Sequence, residues 1–438
     1  MTATGNSTTL CPAPFIAELS IEDGDGYILG RWCEDLVVGN ETVSCCFPCP
    51  ITDWVYSDDF TTDMVPWIGL CVLILIVIPI LTYFVLPSRT TQRHYLKTSP
   101  LMGFVFMSVA FVVPLGTTAR HCHDSITPNN WLSNTSCAVS GSLLLYGAWV
   151  LIIGCFFRSI SLYVQLCWDI EPGKTFRIVA LGCIFVGSLV MLGIALGLSG
   201  VSYQVGDVCY ISYPRSIGSF WTPLFAVAFV SFMIQLYIMG YCVCGVLTTG
   251  ITAGLSIFKR SESPDGMISR AEAARETSSR IWRILNLQWR AIAIACLILS
   301  FVVFLGQAVL RFRSPAEYSV QDLAPWVHCL IRANGDASAC LGYTNWIGSN
   351  ETTSMIALCL LASGGLFGMA CAVRWPMILA CFDLAKEKKD LLLHTWRERQ
   401  SRERPPDLER ISSHNHSLGG VSSPTTLSKI DRMSALSV

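Results

Sequence analysis

The chain has 438 residues, 52 % of them hydrophobic and 14 % charged, with a formal net charge of −1. That balance leaves no basic surplus to hold nucleic acid. The apolar content is concentrated in seven runs, at residues 66–86, 100–118, 138–157, 178–200, 219–247, 291–310 and 353–373, and none contains Asp, Glu, Lys, Arg or His. About 20 apolar residues at 1.5 Å rise cross the roughly 30 Å hydrocarbon core, so each run is a candidate transmembrane helix. The expected fold is an all-α membrane protein, a seven-transmembrane helix bundle at 66–374, preceded by a short disulfide-rich segment at 1–65. An amphipathic juxtamembrane helix at 375–400 and a disordered cytoplasmic tail at 401–438 are expected to follow.

Seven spans put the termini on opposite sides, and three features orient them. With the N-terminus outside, the segments at 87–99, 158–177 and 248–290 and the tail from Arg374 are cytoplasmic and hold 24 of the 30 Lys and Arg. The N-terminal segment holds one, Arg31, against eleven acids. Basic residues resist translocation, so this bias orients the bundle N-out and C-in. The sequons at Asn6, Asn40, Asn134 and Asn350 then all fall outside, as candidate glycosylation sites, and only Asn415 lies inside. Ten of the twenty cysteines lie in outer segments, the oxidising side. The start, MTATGNSTTLCPAPF, has neither a basic n-region nor an apolar h-region, so the first span is expected to translocate its own upstream segment.

The N-terminal 65 residues are too few for a large core and depend on cysteines for a fixed shape. Trp32, Trp54, Tyr56 and Phe60 are expected to pack in this stapled unit. In the first outer loop, Arg120-His121-Cys122-His123-Asp124 has a metal-like spacing. Cys122 is wanted for a disulfide and Arg120 opposes a cation, so the loop reads as an exposed polar loop and no metal or other cofactor is expected. The long loop at 311–352 is expected to be functional, with Trp326, His328 and Trp346 as its conspicuous side chains.

Uncharged spans exclude the usual carboxylate relay of a proton-coupled transporter and a retinal-binding lysine. No catalytic Ser/His/Asp set or phosphate-binding glycine loop is present, so the chain is not expected to be an enzyme. The small-residue spacings Gly193-x-x-x-Gly197 and Gly364-x-x-x-Gly368 permit close helix approach. Tyr146, Trp149, Trp221 and Gln307 lie in the outer halves of spans and are candidate ligand contacts where they face inward. Facing lipid, they would be interfacial aromatics instead. On the cytoplasmic side, Ser269–Arg290 is helix-compatible and runs into the sixth span. Arg280, Arg283 and Arg290 there are candidates to face a protein partner, and the same basic helix would also suit an anionic lipid surface. After Trp375-Pro376 the sequence is amphipathic and basic, with Cys381 placed for palmitoylation.

This layout resembles a seven-helix G-protein-coupled receptor. The run Cys45-Cys46-Phe47-Pro48-Cys49-Pro50, with Tyr56 and an acidic stretch before the first span, resembles the Cys-rich linker of fungal and amoebal Frizzled/Smoothened-like receptors. It is also similar to fungal proteins grouped with secretin-like (family 2) receptors. The Asp/Glu-Arg-Tyr, Cys-Trp-x-Pro and Asn-Pro-x-x-Tyr marks of rhodopsin-like receptors are absent, and the N-terminal segment is too short for a ten-cysteine Frizzled ligand domain. The resemblance implies that Cys137 pairs with Cys209, tying the third helix to the second outer loop. Cys329 and Cys340 share one loop and can close a local ring. Cys11, Cys33, Cys45, Cys46, Cys49 and Cys122 then remain. If all are oxidised, one N-terminal cysteine must reach Cys122, but sequence does not choose the connectivity, and a free thiol at Cys45 or Cys46 is the alternative. The function implied is a cell-surface receptor, held in membrane lipid, that passes an extracellular ligand's signal to a heterotrimeric G protein. A secondary transporter or channel, or a non-signalling surface scaffold, are the alternatives.

Overall fold

The N-terminal segment, expected to depend on its cysteines for a fixed shape, contains a small antiparallel sheet. The computed structural model describes residues 11–21, 26–38, 41–57, 62–85, 95–170, 172–213, 215–258, 296, 299–300, 303–304, 320–344, 350–372, 386 and 388–396. Strands β1 (Ile16–Ala17), β2 (Cys33–Val38) and β3 (Glu41–Cys46) pair in the order β1-β3-β2, with Cys33 opposite Cys46. Period-two alternation turns Val43 and Cys45 of β3 into the core while Thr42 stays exposed. A single helical turn, α1 (Thr52–Val55), follows.

The bundle comprises α2 (Met64–Val85), α3 (Tyr95–Gly116), α4 (Thr135–Cys167), α5 (Lys174–Leu198), α6 (Thr222–Phe258) and, after α7 (Val320–Arg332), α8 (Glu351–Ala372). Strands β4 (Val201–Tyr203) and β5 (Cys209–Ile211) form a hairpin between α5 and α6. Among the described residues six helices are long and apolar enough to cross a membrane, which makes the chain an integral membrane protein. The expected run at 291–310 lies outside the described residues except for Cys296, Leu299, Ser300, Val303 and Phe304, which are helical. Helix α4 continues ten residues beyond its apolar run, and α6 continues eleven beyond its own. A helix follows backbone propensity past the hydrocarbon edge, so apolar runs give minimum lengths. The chain divides into two units, Met1–Ala380 and Cys381–Val438; in the second, residues 388–396 are helical and exposed.

Helix α4 packs against α3, α5 and α6. Its tightest approach is to α3, where two glycines face each other. A Cβ on Gly103 would lie 2.8 Å from the Gly147 carbonyl oxygen, and one on Gly147 would lie 2.7 Å from the Gly103 carbonyl oxygen. In lipid, where there is no hydrophobic force between helices, such backbone contact is a main source of cohesion. A buried hydrogen bond adds to it between α4 and α6, Gln235 donating Nε2 to the Ser159 hydroxyl at 2.9 Å. On α8, a Cβ on Gly365 would strike Ile76 and one on Gly368 would meet Phe104 at 2.5 Å. The Gly193/Gly197 pair departs from expectation: among the described residues nothing lies within 4 Å of where their Cβ atoms would be, so neither brings two described helices together.

Gly147→Val should cost about 1–3 kcal/mol, the usual overpacking penalty, because two of the atoms in its way, the Gly103 carbonyl oxygen and the Met107 nitrogen, are backbone. Gly193→Val should stay within about 0.5 kcal/mol. Thermal unfolding in detergent, followed with a thiol-reactive dye, separates the two; equal midpoints would contradict the packing described.

Candidate functional site

The N-terminal segment is the keystone of a cap over one end of the bundle. Three disulfides anchor it: Cys11–Cys45, Cys33–Cys46 and Cys49–Cys122. The first two staple the sheet internally, across β3 and its neighbours. The third leaves the segment altogether and joins the α3–α4 loop. Beside it, the Cys49 amide donates to the Ser125 carbonyl at 2.8 Å and the Tyr27 amide to the Pro128 carbonyl at 2.8 Å.

Arg31, the segment's one basic residue, is 6 % exposed. It donates Nε to the Thr127 hydroxyl at 2.8 Å and Nη1 to Glu18 Oε1 at 3.2 Å, while Ser44 donates to the other Glu18 oxygen at 2.9 Å. A buried guanidinium is tolerable only with such partners. Asp124 stands on the same loop. Burial works against its ionisation, but the Ile126 amide, the Thr127 hydroxyl and amide and the Arg31 charge outweigh it and hold its carboxyl below the usual value of 3.8.

The segment also grips α7 and the stretch that leads from it into α8. Trp326 of α7 is fully buried and stacks on Phe47 at 4.7 Å, with Phe15 edge-on to the same ring. The Thr344 hydroxyl donates to the Val55 carbonyl at 3.2 Å. Tyr56 and Ser354 share a hydrogen bond at 2.9 Å, and Ser57 donates to Glu351 at 2.7 Å, both at the start of α8. Disulfide Cys329–Cys340 closes a local ring there. On the other side, Cys137–Cys209 fastens the head of α4 to the β4–β5 hairpin. Two sequon asparagines sit at helix starts: Asn134 caps α4 by accepting the Cys137 amide, and Asn350 precedes α8, accepting the Thr352 amide.

Two clefts open in this cap. The first is lined by Tyr27, Trp32, Phe47, Tyr203, Gln204 and Tyr213. The second is lined by Asp53, Tyr56, Ser57, Thr62 and Gly206. Pro50, Thr52 and His121 line both. His121 stacks on Tyr203 at 5.1 Å and its Nε2 meets Asp207 Oδ1 at 3.2 Å, bridging the α3–α4 loop to the hairpin. Burial pushes the Tyr27 hydroxyl up to about 12, partly offset by its hydrogen bond to Ser212. Tyr203 and Tyr210 are also raised, first by burial and then by the Asp207 charge, with Ser136 offsetting part of the shift at Tyr203. All three therefore stay neutral donors at ordinary pH.

The candidate ligand contacts do not meet in these clefts. Tyr146 donates to the Phe185 carbonyl at 3.4 Å and packs edge-on to Phe106, between α3 and α5. Trp149 is 1 % exposed and lies edge-on to Phe220, which in turn packs on Trp221, between α4 and the turn before α6. Gln307, Arg280, Arg283, Arg290, Cys381, Asn6 and Asn40 lie outside the described residues. Within the His121–Asp124 run, Cys122 is in a disulfide and both Asp124 and His121 have protein partners. Glu18, Cys33 and Cys46 also cluster, but those two sulfurs are bonded to each other and offer no thiolate. Sequence reasoning missed Arg31 as an anchor; its isolation among eleven acids was the available signal.

No protein-family model matches the chain. It is 35 % identical over 347 residues to the G protein-coupled receptor gprM of Aspergillus fumigatus, an alignment covering 76 % of this chain and 69 % of that protein.

Arg31→Met should destabilise the cap by about 1.5–3 kcal/mol, the range for a hydrogen bond to a charged group, towards the lower end because Glu18 keeps partial access to water. Faster amide exchange in Glu41–Cys46 with all disulfides intact is the expected readout. Asp124 adds a pH dependence of definite sign. Its folded value is depressed, so its contribution is complete above the unfolded value of 3.8 and is lost as pH falls through the folded one. Protection factors in Glu41–Cys46, taken relative to the intrinsic exchange rate at each pH, should fall in that acid window, and Asp124→Asn should flatten the response.

Proposed function

The chain belongs to the G-protein-coupled receptor family of gprM, and from that premise we propose that it is a seven-helix plasma-membrane receptor with the cap outside. A ligand at the cap acts, in this reading, on a cytoplasmic heterotrimeric G protein. The observation that carries it is the fastening of one N-terminal segment to the heads of the helices. That segment is bonded to the α3–α4 loop through Cys49 and Arg31, and to the head of α8 through Tyr56 and Ser57. A molecule wedged there changes the relative free energies of helix packings by its differential affinity for them.

The charge pattern supports the orientation, with 24 of 30 Lys and Arg in the segments that this reading assigns to the cytoplasm. Disulfides in the cap fit an oxidising exterior, where Asn6, Asn40, Asn134 and Asn350 are glycosylation candidates. The motif at Cys45–Pro50 favours a place beside the Frizzled/Smoothened-like or secretin-like receptors. On the cytoplasmic side, Arg280, Arg283 and Arg290 are the candidates to meet the G protein. The exposed helix at 388–396, with Leu391, Leu392 and Trp396, suits the membrane interface, and Cys381 is a candidate palmitoyl anchor.

Nucleotide exchange on host Gα subunits, measured in membranes with and without the chain and alongside solute flux in vesicles, tests the proposal. Exchange should rise with the chain present, and replacing Arg280, Arg283 and Arg290 by Ala should remove most of the rise at unchanged surface level. Solute flux without exchange would identify a transporter or channel and overturn it.

A further inference from the structure

The two clefts of the cap touch but differ in chemistry. Among the described residues the lining of the first contains no Lys, Arg, Asp or Glu. Its walls are aromatic faces, which bind apolar ring systems and attract organic cations through the ring quadrupole. The second cleft is acidic. Asp53 lines it, Asp207 stands behind its lining residue His121 at 3.2 Å, and Glu351 stands behind its lining residue Ser57 at 2.7 Å. Among the described residues no Lys or Arg lines it. The N-terminal segment as a whole has eleven acids against one Arg, a net negative charge that attracts cations.

We propose that the clefts are two compartments of one site for an amphipathic organic cation, its apolar ring seated in the aromatic compartment and its ammonium group in the acidic one. The proposal rests on the receptor reading for its biological use, but the binding chemistry stands on the clefts themselves. His121 sits at the junction: it lines both clefts, with its Nε2 at 3.2 Å from Asp207 Oδ1 and its ring stacked on Tyr203.

The test uses the full chain in lipid nanodiscs with disulfides intact, and three probes that share one ring: 2-phenylethylammonium, 2-phenylethanol and 3-phenylpropanoate. Saturation-transfer NMR against empty nanodiscs should show saturable binding of the ammonium, with the alcohol on the order of fivefold weaker, the scale of one partly exposed ion pair. Asp53→Asn should weaken the ammonium and leave the alcohol unchanged. Equal binding of the alcohol, preference for the carboxylate, or no saturable signal from any probe overturns the proposal. Gα exchange run on the same preparations separates the two readings. Binding without exchange would sink the receptor and keep the site, whereas exchange without binding would sink the site and keep the receptor.

Discussion

Cys49 and Cys122 are 73 residues apart, with the whole of α2 and α3 between them, and their bond fixes where the N-terminal segment lies. In the chain-entropy account, closing a loop of that length removes about 4 kcal/mol of freedom from the unfolded ensemble. That contribution is needed, because a sheet of three short strands is marginal alone. Once Cys49 is held against the α3–α4 loop, Arg31 can reach Thr127 and Phe47 can meet Trp326. The backbone bonds of Tyr27 to Pro128 and of Cys49 to Ser125 act beside the same anchor.

The cap and the bundle are stiffened by different physics. Outside lipid, covalent cross-links and aromatic burial hold the pieces. Between the helices, close backbone contact at Gly103 and Gly147 and the Gln235–Ser159 hydrogen bond do that work. Both schemes converge on α4, whose head is capped by Asn134 and bonded to the hairpin through Cys137–Cys209, and whose middle touches α3, α5 and α6. Strain at the cap thus has a continuous, packed route into the membrane.

The helical bundle and its cysteine-rich prefix were legible because hydrophobic run length and cysteine placement are local signals. Helix ends were less so: Arg158–Cys167 is polar enough to leave the bilayer yet remains helical in α4. Small-residue spacing proved ambiguous, since Gly368 packs against Phe104 while Gly193 and Gly197 touch nothing within reach. The same sequence pattern serves a buried and a bare helix face. The site itself was hardest. Glu18 and Thr127 are 13 and 96 residues from Arg31, and His121 is 86 residues from Asp207. Such pairs form only after the loops are brought together, and no period or motif announces them. Aromatic residues in the spans drew attention instead, and Trp149 and Tyr146 are packed between helices.

The account stands on the N-terminal segment being clamped to the α3–α4 loop. Proteolysis of the purified chain under non-reducing, thiol-blocked conditions, followed by mass spectrometry, reads that clamp directly. A peptide containing Cys49 joined to one containing Cys122, separating on reduction, is the predicted result. Cys122 recovered as a blocked free thiol, or joined to Cys11, Cys33, Cys45 or Cys46, would contradict it.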